Sequence, residues 1–286
     1  MVNFSDDLSQ LISDTANLTC YDDVLTLDSN TESNVLVQTL SLVGKLIATR
    51  TINPQATNSI LMRAWNIHSG MATISLTPNT FRFGFTKEPD LRRAMDSGPW
   101  SIMGCHLVLK IWPPHMVLEE IDFSTSPFWV QIHGLPPDQQ THCNALKIGA
   151  MFDGVITVDP SSSDICVWSN FLRIKVQINV LMPLKTGFLL KRNARPDVWI
   201  HFKYERLSDF CYHCGRICHC VKACPHDPPP QISLPTNRKG SKVFGPWLRA
   251  DAISFPRKSL INKACTPEDG MNMRNSASSL QVARES

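Results

Sequence analysis

Along this chain the apolar positions change period several times, and each change marks an element. Residues 36–49 (LVQTLSLVGKLIAT) form a Leu- and Val-rich run that reads as a strand. Asn53-Pro54 follows as a helix start, with Pro at the first helical position where its missing N–H is not needed. Ile60, Leu61, Ala64, Trp65 and His68 recur at helical spacing, which predicts an amphipathic helix over 54–68, closed by Gly70. Residues 71–77 (MATISLT) and 80–86 (TFRFGFT) alternate around Pro78-Asn79, the signature of a hairpin. Phe81, Phe83 and Phe85 share one face, which leaves Arg82, Thr80 and Gly84 outward. A short helix is predicted over 87–96 with Leu91 and Met95 inward, stopped by Gly98-Pro99. Residues 104–112 alternate again, with Leu107, Leu109 and Ile111 inward, and Pro113-Pro114 ends that strand.

Read as types, residues 35–115 give β-α-β-β-α-β, the order of a ferredoxin-like α+β sandwich such as the RNA-recognition fold. The two aromatic motifs of an RNA-recognition module are not legible, and the Phe81, Phe83, Phe85 row reads as core before it reads as a base-stacking platform. A second small α+β region is predicted over 126–206. It contains a strand at 128–133, a Gly134-Leu135-Pro136-Pro137 turn, a helix over 138–152 capped by Asp138, and a short strand at 154–159. A long strand follows at 170–181, with Leu172, Ile174, Val176, Ile178 and Val180 on one face and Arg173, Lys175, Gln177 and Asn179 on the other. That second face is either a solvated sheet surface or a strip that contacts phosphates. Another strand, 197–206, leads into a cysteine cluster at 207–226.

The flanks differ in composition. Residues 1–34 carry seven Asp and Glu and no Lys or Arg, so they read as an acidic, mobile head. From 227 on, Asp227-Pro228-Pro229-Pro230 breaks structure, and a Ser-, Asn-, Lys- and Arg-rich sequence predicts a disordered basic tail over 227–286. Beyond the head, 28 Lys and Arg stand against 18 Asp and Glu, a basic balance that suits a partner bearing phosphates. No run approaches the roughly twenty apolar residues of a membrane span, and Asp6 and Asp7 stand where a secretory signal needs basic residues. The expected setting is therefore intracellular, nucleus or cytoplasm. In a reducing compartment, 10 cysteines mean metal or redox chemistry before they mean disulfides.

The cluster is Cys211, Cys214, His219 and Cys224, spaced C-x2-C-x4-H-x4-C. Three thiolates and one imidazole fill all positions of one tetrahedral Zn2+, and a site with no open position is structural. A loop this short buries no core of its own, so the metal supplies its folding free energy, on the order of ten kcal/mol in zinc-finger peptides. Around the metal, Tyr212 offers a ring to an unpaired base or packs back on the preceding strand. Arg216 and Lys222 offer charge to phosphates, which together suits single-stranded nucleic acid. Cys218 and Cys220 are two further thiols that compete as ligands; the intact spacing favours the first four. Cys20, Cys105, Cys143, Cys166 and Cys265 have no partner spacing.

Tyr204-Glu205-Arg206-Leu207-Ser208-Asp209-Phe210 running into Cys211, with Phe244-Gly245-Pro246-Trp247-Leu248-Arg249-Ala250 downstream, resembles the zinc knuckle of plant LINE-type retrotransposon and gag-like proteins. Three upstream stretches are similar to the plant domain of unknown function that precedes that knuckle: Leu42-Val43-Gly44-Lys45, Gly98-Pro99-Trp100-Ser101 with Leu107–Trp112, and Trp129–Pro136. The resemblance spans about residues 35–250. It implies a gag-like nucleic-acid-binding protein derived from a transposable element and without catalytic residues. The family places Gly before the ligand His, where this chain has Cys218; if that position needs positive φ, the change costs about 1 kcal/mol.

Two readings stay open. In one, an α+β body positions the knuckle along single-stranded RNA or DNA; in the other, the knuckle is a structural clip in a self-associating scaffold. No P-loop, GxSxG or HExxH motif, and no paired-carboxylate motif, points to an enzyme or a small-molecule substrate.

Overall fold

A computed structural model describes residues 40–68, 70–113, 115–159, 171–193, 195–217, 219–227 and 243–250. The expected acidic head and residues 160–170 lie outside them, as do residues 228–242 and 251–286 of the expected tail. Every described residue belongs to one compact unit, within Val37–Ser286. This unit is a mixed α+β structure of two sheets, and no described helix is long and apolar enough to cross a membrane.

The first sheet is built from β1 (Ser41–Ile47), β2 (Met71–Thr77), β3 (Thr80–Phe85), β4 (Trp100–Ile102) and β5 (Cys105–Ile111) in the order β2-β3-β1-β5-β4, with every pair antiparallel. Helices α1 (Pro54–Ala64) and α2 (Glu88–Asp96) complete the layer. Asn53 caps α1: its side chain accepts from the Gln55 and Ala56 amides, two donors that a helix start otherwise leaves without partners. Trp65, just past the helix, is fully buried, with Phe83, Phe85 and Trp100 at ring distances of 5.2, 5.6 and 6.3 Å. A Cβ on Gly44 would meet the Phe83 ring at 2.7 Å, so only glycine lets Phe83 lie flat across β1.

Several local expectations change. The strand β4 lies where a simple helix stop was expected, pairing with β5 through a Met103-Gly104 turn that needs positive φ at both residues. Thr80 is buried rather than outward. In α2, Ala94 and Asp90 are the buried residues, with Asp90 ion-paired to Arg93, while Leu91 and Met95 are half-buried against the core. Ile111 is 59% exposed, whereas His106 and Val108 on the opposite face of β5 are fully buried. Simple alternation fails in β5 because both of its faces are covered.

The cover over the second face is the chain that follows. The strand β6 (Thr125–His133) begins against it: the His106 ring stacks on Phe128 at 5.0 Å, and its Nε2 lies 2.9 Å from Ser126 Oγ. Lys110 Nζ donates to Thr125 Oγ1, Lys45 lies over Phe123, and Arg82 over Trp112. Burial holds His106 down to about 3, so it is a neutral ring at physiological pH.

The second sheet contains β6, β7 (Gly154–Val158), β8 (Phe171–Asn179), β9 (Gly187–Leu190), β10 (Val198–Glu205) and β11 (Arg249–Ala250). Its order is β11-β10-β6-β8-β7, with β9 pairing on the same edge of β10 as β11. Helix α3 (His142–Gly149) is shorter than expected. It is capped by Thr141, whose Oγ1 accepts from the Asn144 amide, because Pro137–Gln139 first forms a separate 3-10 turn. Phe128, Val130, Ile132, Leu172, Ile174 and Phe202 form one core that also takes in Ile47 and Val108 from the first sheet.

Candidate metal centre

The strand β10 runs straight into the ligand loop, and the loop packs on the core of the second sheet. Phe210 and Ile217, which flank the first two cysteines, form an isolated β-bridge and are buried in that core. Between them the chain reverses: the Gly215 amide donates to the Cys211 carbonyl at 2.8 Å, and the Cys211 amide to the Arg216 carbonyl at 2.9 Å. Gly215 has φ +76°, and any Cβ there would strike the Phe244 ring, so glycine is required twice over. The Leu184 amide donates to the Gly215 carbonyl, tying the loop to the segment before β9.

This frame brings Cys211, Cys214, His219 and Cys224 together, with their ligand atoms all within 4.8 Å of one another. Cys214 Sγ and His219 Nε2 are 3.3 Å apart. The edge of a tetrahedron with zinc–sulfur bonds of about 2.3 Å is about 3.8 Å, so a modest contraction closes the shell. Three sulfurs and one imidazole nitrogen are the donor set zinc prefers, and the group fits one structural Zn2+. Burial, then hydrogen bonding with the Cys224 and Cys211 thiols, pushes the Cys214 thiol up to about 12 against a donation from Arg216, so metal binding has to displace a tightly held proton. Burial first, then His226 and Arg216, lowers the pKa of His219, which keeps its imidazole in the neutral form that ligates. Cys220 is exposed and outside the group, Cys218 lies outside the described residues, and Cys105 and Cys143 are remote from it in sequence and absent from the group.

The other expected site residues scatter. Tyr212 is half-buried and packs on the core, with its ring 4.9 Å from Phe210, so it is the packing alternative that the fold adopts. Arg216 is half-buried beside the ligands, and its Nε is buried without a hydrogen-bond partner among the described residues. Lys222 is exposed on the 3-10 turn Val221–Ala223.

Arg173 is not a free phosphate contact. Only 9% exposed, it donates Nε and Nη2 to the two carboxylate oxygens of Glu205 (2.8 and 2.7 Å) and Nη1 to Asp159 (2.8 Å), and it lies 3.7 Å from the Trp129 ring. A buried guanidinium needs such partners, and here they come from strands far apart in sequence. Lys175 is half-buried and donates to the Asp96 carbonyl at 3.3 Å. Gln131 also donates to Glu205, completing a network that no spacing in the sequence announces.

The expected tail also contains ordered structure. Phe244 and Leu248 are core residues, β11 pairs in parallel with Tyr204 and Glu205, and Arg249 donates to Asp209 and to the Ser208 carbonyl. Periodicity misses this strap because it is eight residues long in a polar stretch; the Phe244–Ala250 run itself was the available signal.

The fold and the cluster together define a zinc-knuckle protein with an α+β body. Comparison with protein families agrees in two places: residues 36–120 match a domain of unknown function (DUF4283), and residues 178–226 match a zinc knuckle. The second match begins at the end of β8 and takes in β9 and β10, the same strands to which the ligand loop is tied. No curated protein matches the chain.

Proposed function

We propose that this chain is a non-enzymatic, zinc-dependent binder of single-stranded RNA or DNA, a gag-like protein derived from a retrotransposon of the plant LINE type and acting in the nucleus or cytoplasm. The observation that carries the reading is the closed Cys3His group following a domain that matches DUF4283. A saturated structural zinc offers no position for chemistry, which leaves binding as its contribution. The ferredoxin-like reading of residues 35–115 is supported by the antiparallel order β2-β3-β1-β5 with two helices on one face; β4 is an addition at the edge. Exposed Lys222 and half-buried Arg216 supply charge beside the metal.

The scaffold reading draws on a different observation. Phe210, Ile217 and Phe244 embed the knuckle in the core, as a purely structural clip would be. The two readings separate in a fluorescence-anisotropy titration of the full chain with single-stranded RNA, single-stranded DNA and duplex, each with and without a zinc chelator. Single-strand binding that falls steeply with salt and is lost on chelation supports the first. No binding, with self-association that survives nuclease, replaces it with the second.

A further inference from the structure

The core-forming residues of β6, β8 and β10 alternate with a second set that points to the other side of the sheet. On β10, Trp199, His201, Lys203 and Glu205 alternate with buried Ile200, Phe202 and Tyr204. The register aligns these into rows across β6: Lys175 opposite Trp129, Gln131 between Arg173 and Lys203, and His133 between Phe171 and His201. His133 and Phe171 are in ring contact at 4.9 Å. Trp129, His133, Phe171, Trp199 and Lys203 are half-buried and His201 is exposed, so the aromatic rings on this face reach solvent.

The charge on the face is basic. The carboxylates of Asp159 and Glu205 are turned onto Arg173, and Lys175 is held to the Asp96 carbonyl, so the half-buried Lys203 carries the charge of the middle row. The turn that joins β9 to β10 carries Lys191, Arg192 and Arg195 against Asp197, with Arg192 donating to the Pro196 carbonyl. Burial first, then Lys203 and His201, holds His133 down to about 4, so at neutral pH it presents an uncharged ring.

We propose that this face of the second sheet, through His133, Phe171, Trp199 and Lys203, is the platform that binds single-stranded nucleic acid. Unpaired bases stack on aromatic planes regardless of sequence while lysines track the backbone, and a broad sheet surface suits a splayed strand rather than a duplex groove. The buried Arg173 network is a positioning element: its guanidinium on Trp129 and its bonds to β10 and to Asp159 beyond β7 fix the rows relative to one another. This inference rests on the nucleic-acid reading above and moves the contact surface from the knuckle to the sheet it closes.

The test uses the full zinc-loaded chain and a fluorescein-labelled oligouridylate. Lys203→Glu is expected to weaken binding about tenfold and to reduce the salt slope by about one. Phe171→Leu, which keeps the bulk and removes the π-face, is expected to weaken it severalfold with the salt slope unchanged. Zinc content and melting temperature of both variants should match the parent. If the parent binds and both variants bind equally well, while Lys222→Glu abolishes binding, the platform is refuted and the knuckle reading stands. If the parent does not bind at all, both fail together.

Discussion

Val43, His106 and Val108 lie on the face of the first sheet turned away from its helices, and all three are fully buried beneath the segment that leads into β6. On the second sheet, the face turned away from its core holds Trp129, His201 and Lys203, which remain half-buried or exposed. In the first sheet the face turned away from the helices has been consumed as core. On the second sheet the corresponding face buries Gln131, Arg173 and Glu205 in one ion network and leaves the side chains around them half-buried or exposed. Architecture alone does not say which surface does the work. The two regions also differ in what holds them: the first relies on apolar packing around Trp65, while the second combines a core with a buried ion network and four metal ligands.

Removing the metal is expected to break this contrast most strongly. Cys214→Ser should abolish stoichiometric zinc and remove a stabilisation on the order of ten kcal/mol from residues 207–227, read as lost zinc content and a lower melting temperature. An unchanged zinc stoichiometry would reassign the ligands to include Cys218 or Cys220. Next comes Glu205→Ala, which leaves Arg173 buried with Asp159 as its remaining carboxylate among the described residues; a loss of about 3–5 kcal/mol in denaturant unfolding is expected. Zinc content should be kept, because Glu205 touches none of the ligands. Within the first sheet, Gly44→Val drives a side chain into Phe83 and Leu109 and should cost about 1–3 kcal/mol, again with zinc retained.

Per unit of pH, the smallest effect is the titration of a buried histidine. His106 is held down to about 3 in the folded chain, against an ordinary value near 6.5. Below about 6.5 the unfolded chain takes up a proton that the folded chain refuses, so stability is complete above that pH and falls as the pH drops toward 3. The slope approaches about 1.4 kcal/mol per pH unit for this group alone. His106→Gln should flatten the corresponding part of the pH profile; a profile identical to the parent would show that His106 does not carry it.

Much of this contrast was legible in the chain. Hydrophobic periodicity located β1, the β2–β3 hairpin, β6, β8 and β10, and ligand spacing located the metal group without any structural help. Local signals end where tertiary contacts decide. Arg173 reads as a surface residue on an alternating strand, and only the arrival of Glu205 from β10 and Asp159 from beyond β7 makes it a buried one. Ile111 continues the inward series of β5, but the sheet ends there and it faces solvent. Tyr212 sits among metal ligands in the sequence, yet packing on Phe210 decides its orientation. The strap at 243–250 is too short to show a period, and the core it completes is assembled from residues dozens of positions upstream.

The most direct test of the account is amide hydrogen exchange on the full chain with zinc and after its removal. The account expects protection to fall around Phe210, Ile217, Phe244 and Leu248 when the metal leaves, while β1, β3 and β5 of the first sheet keep theirs. Equal protection of the 207–227 and 243–250 segments in both states would contradict the claim that the metal builds the clip closing the second sheet.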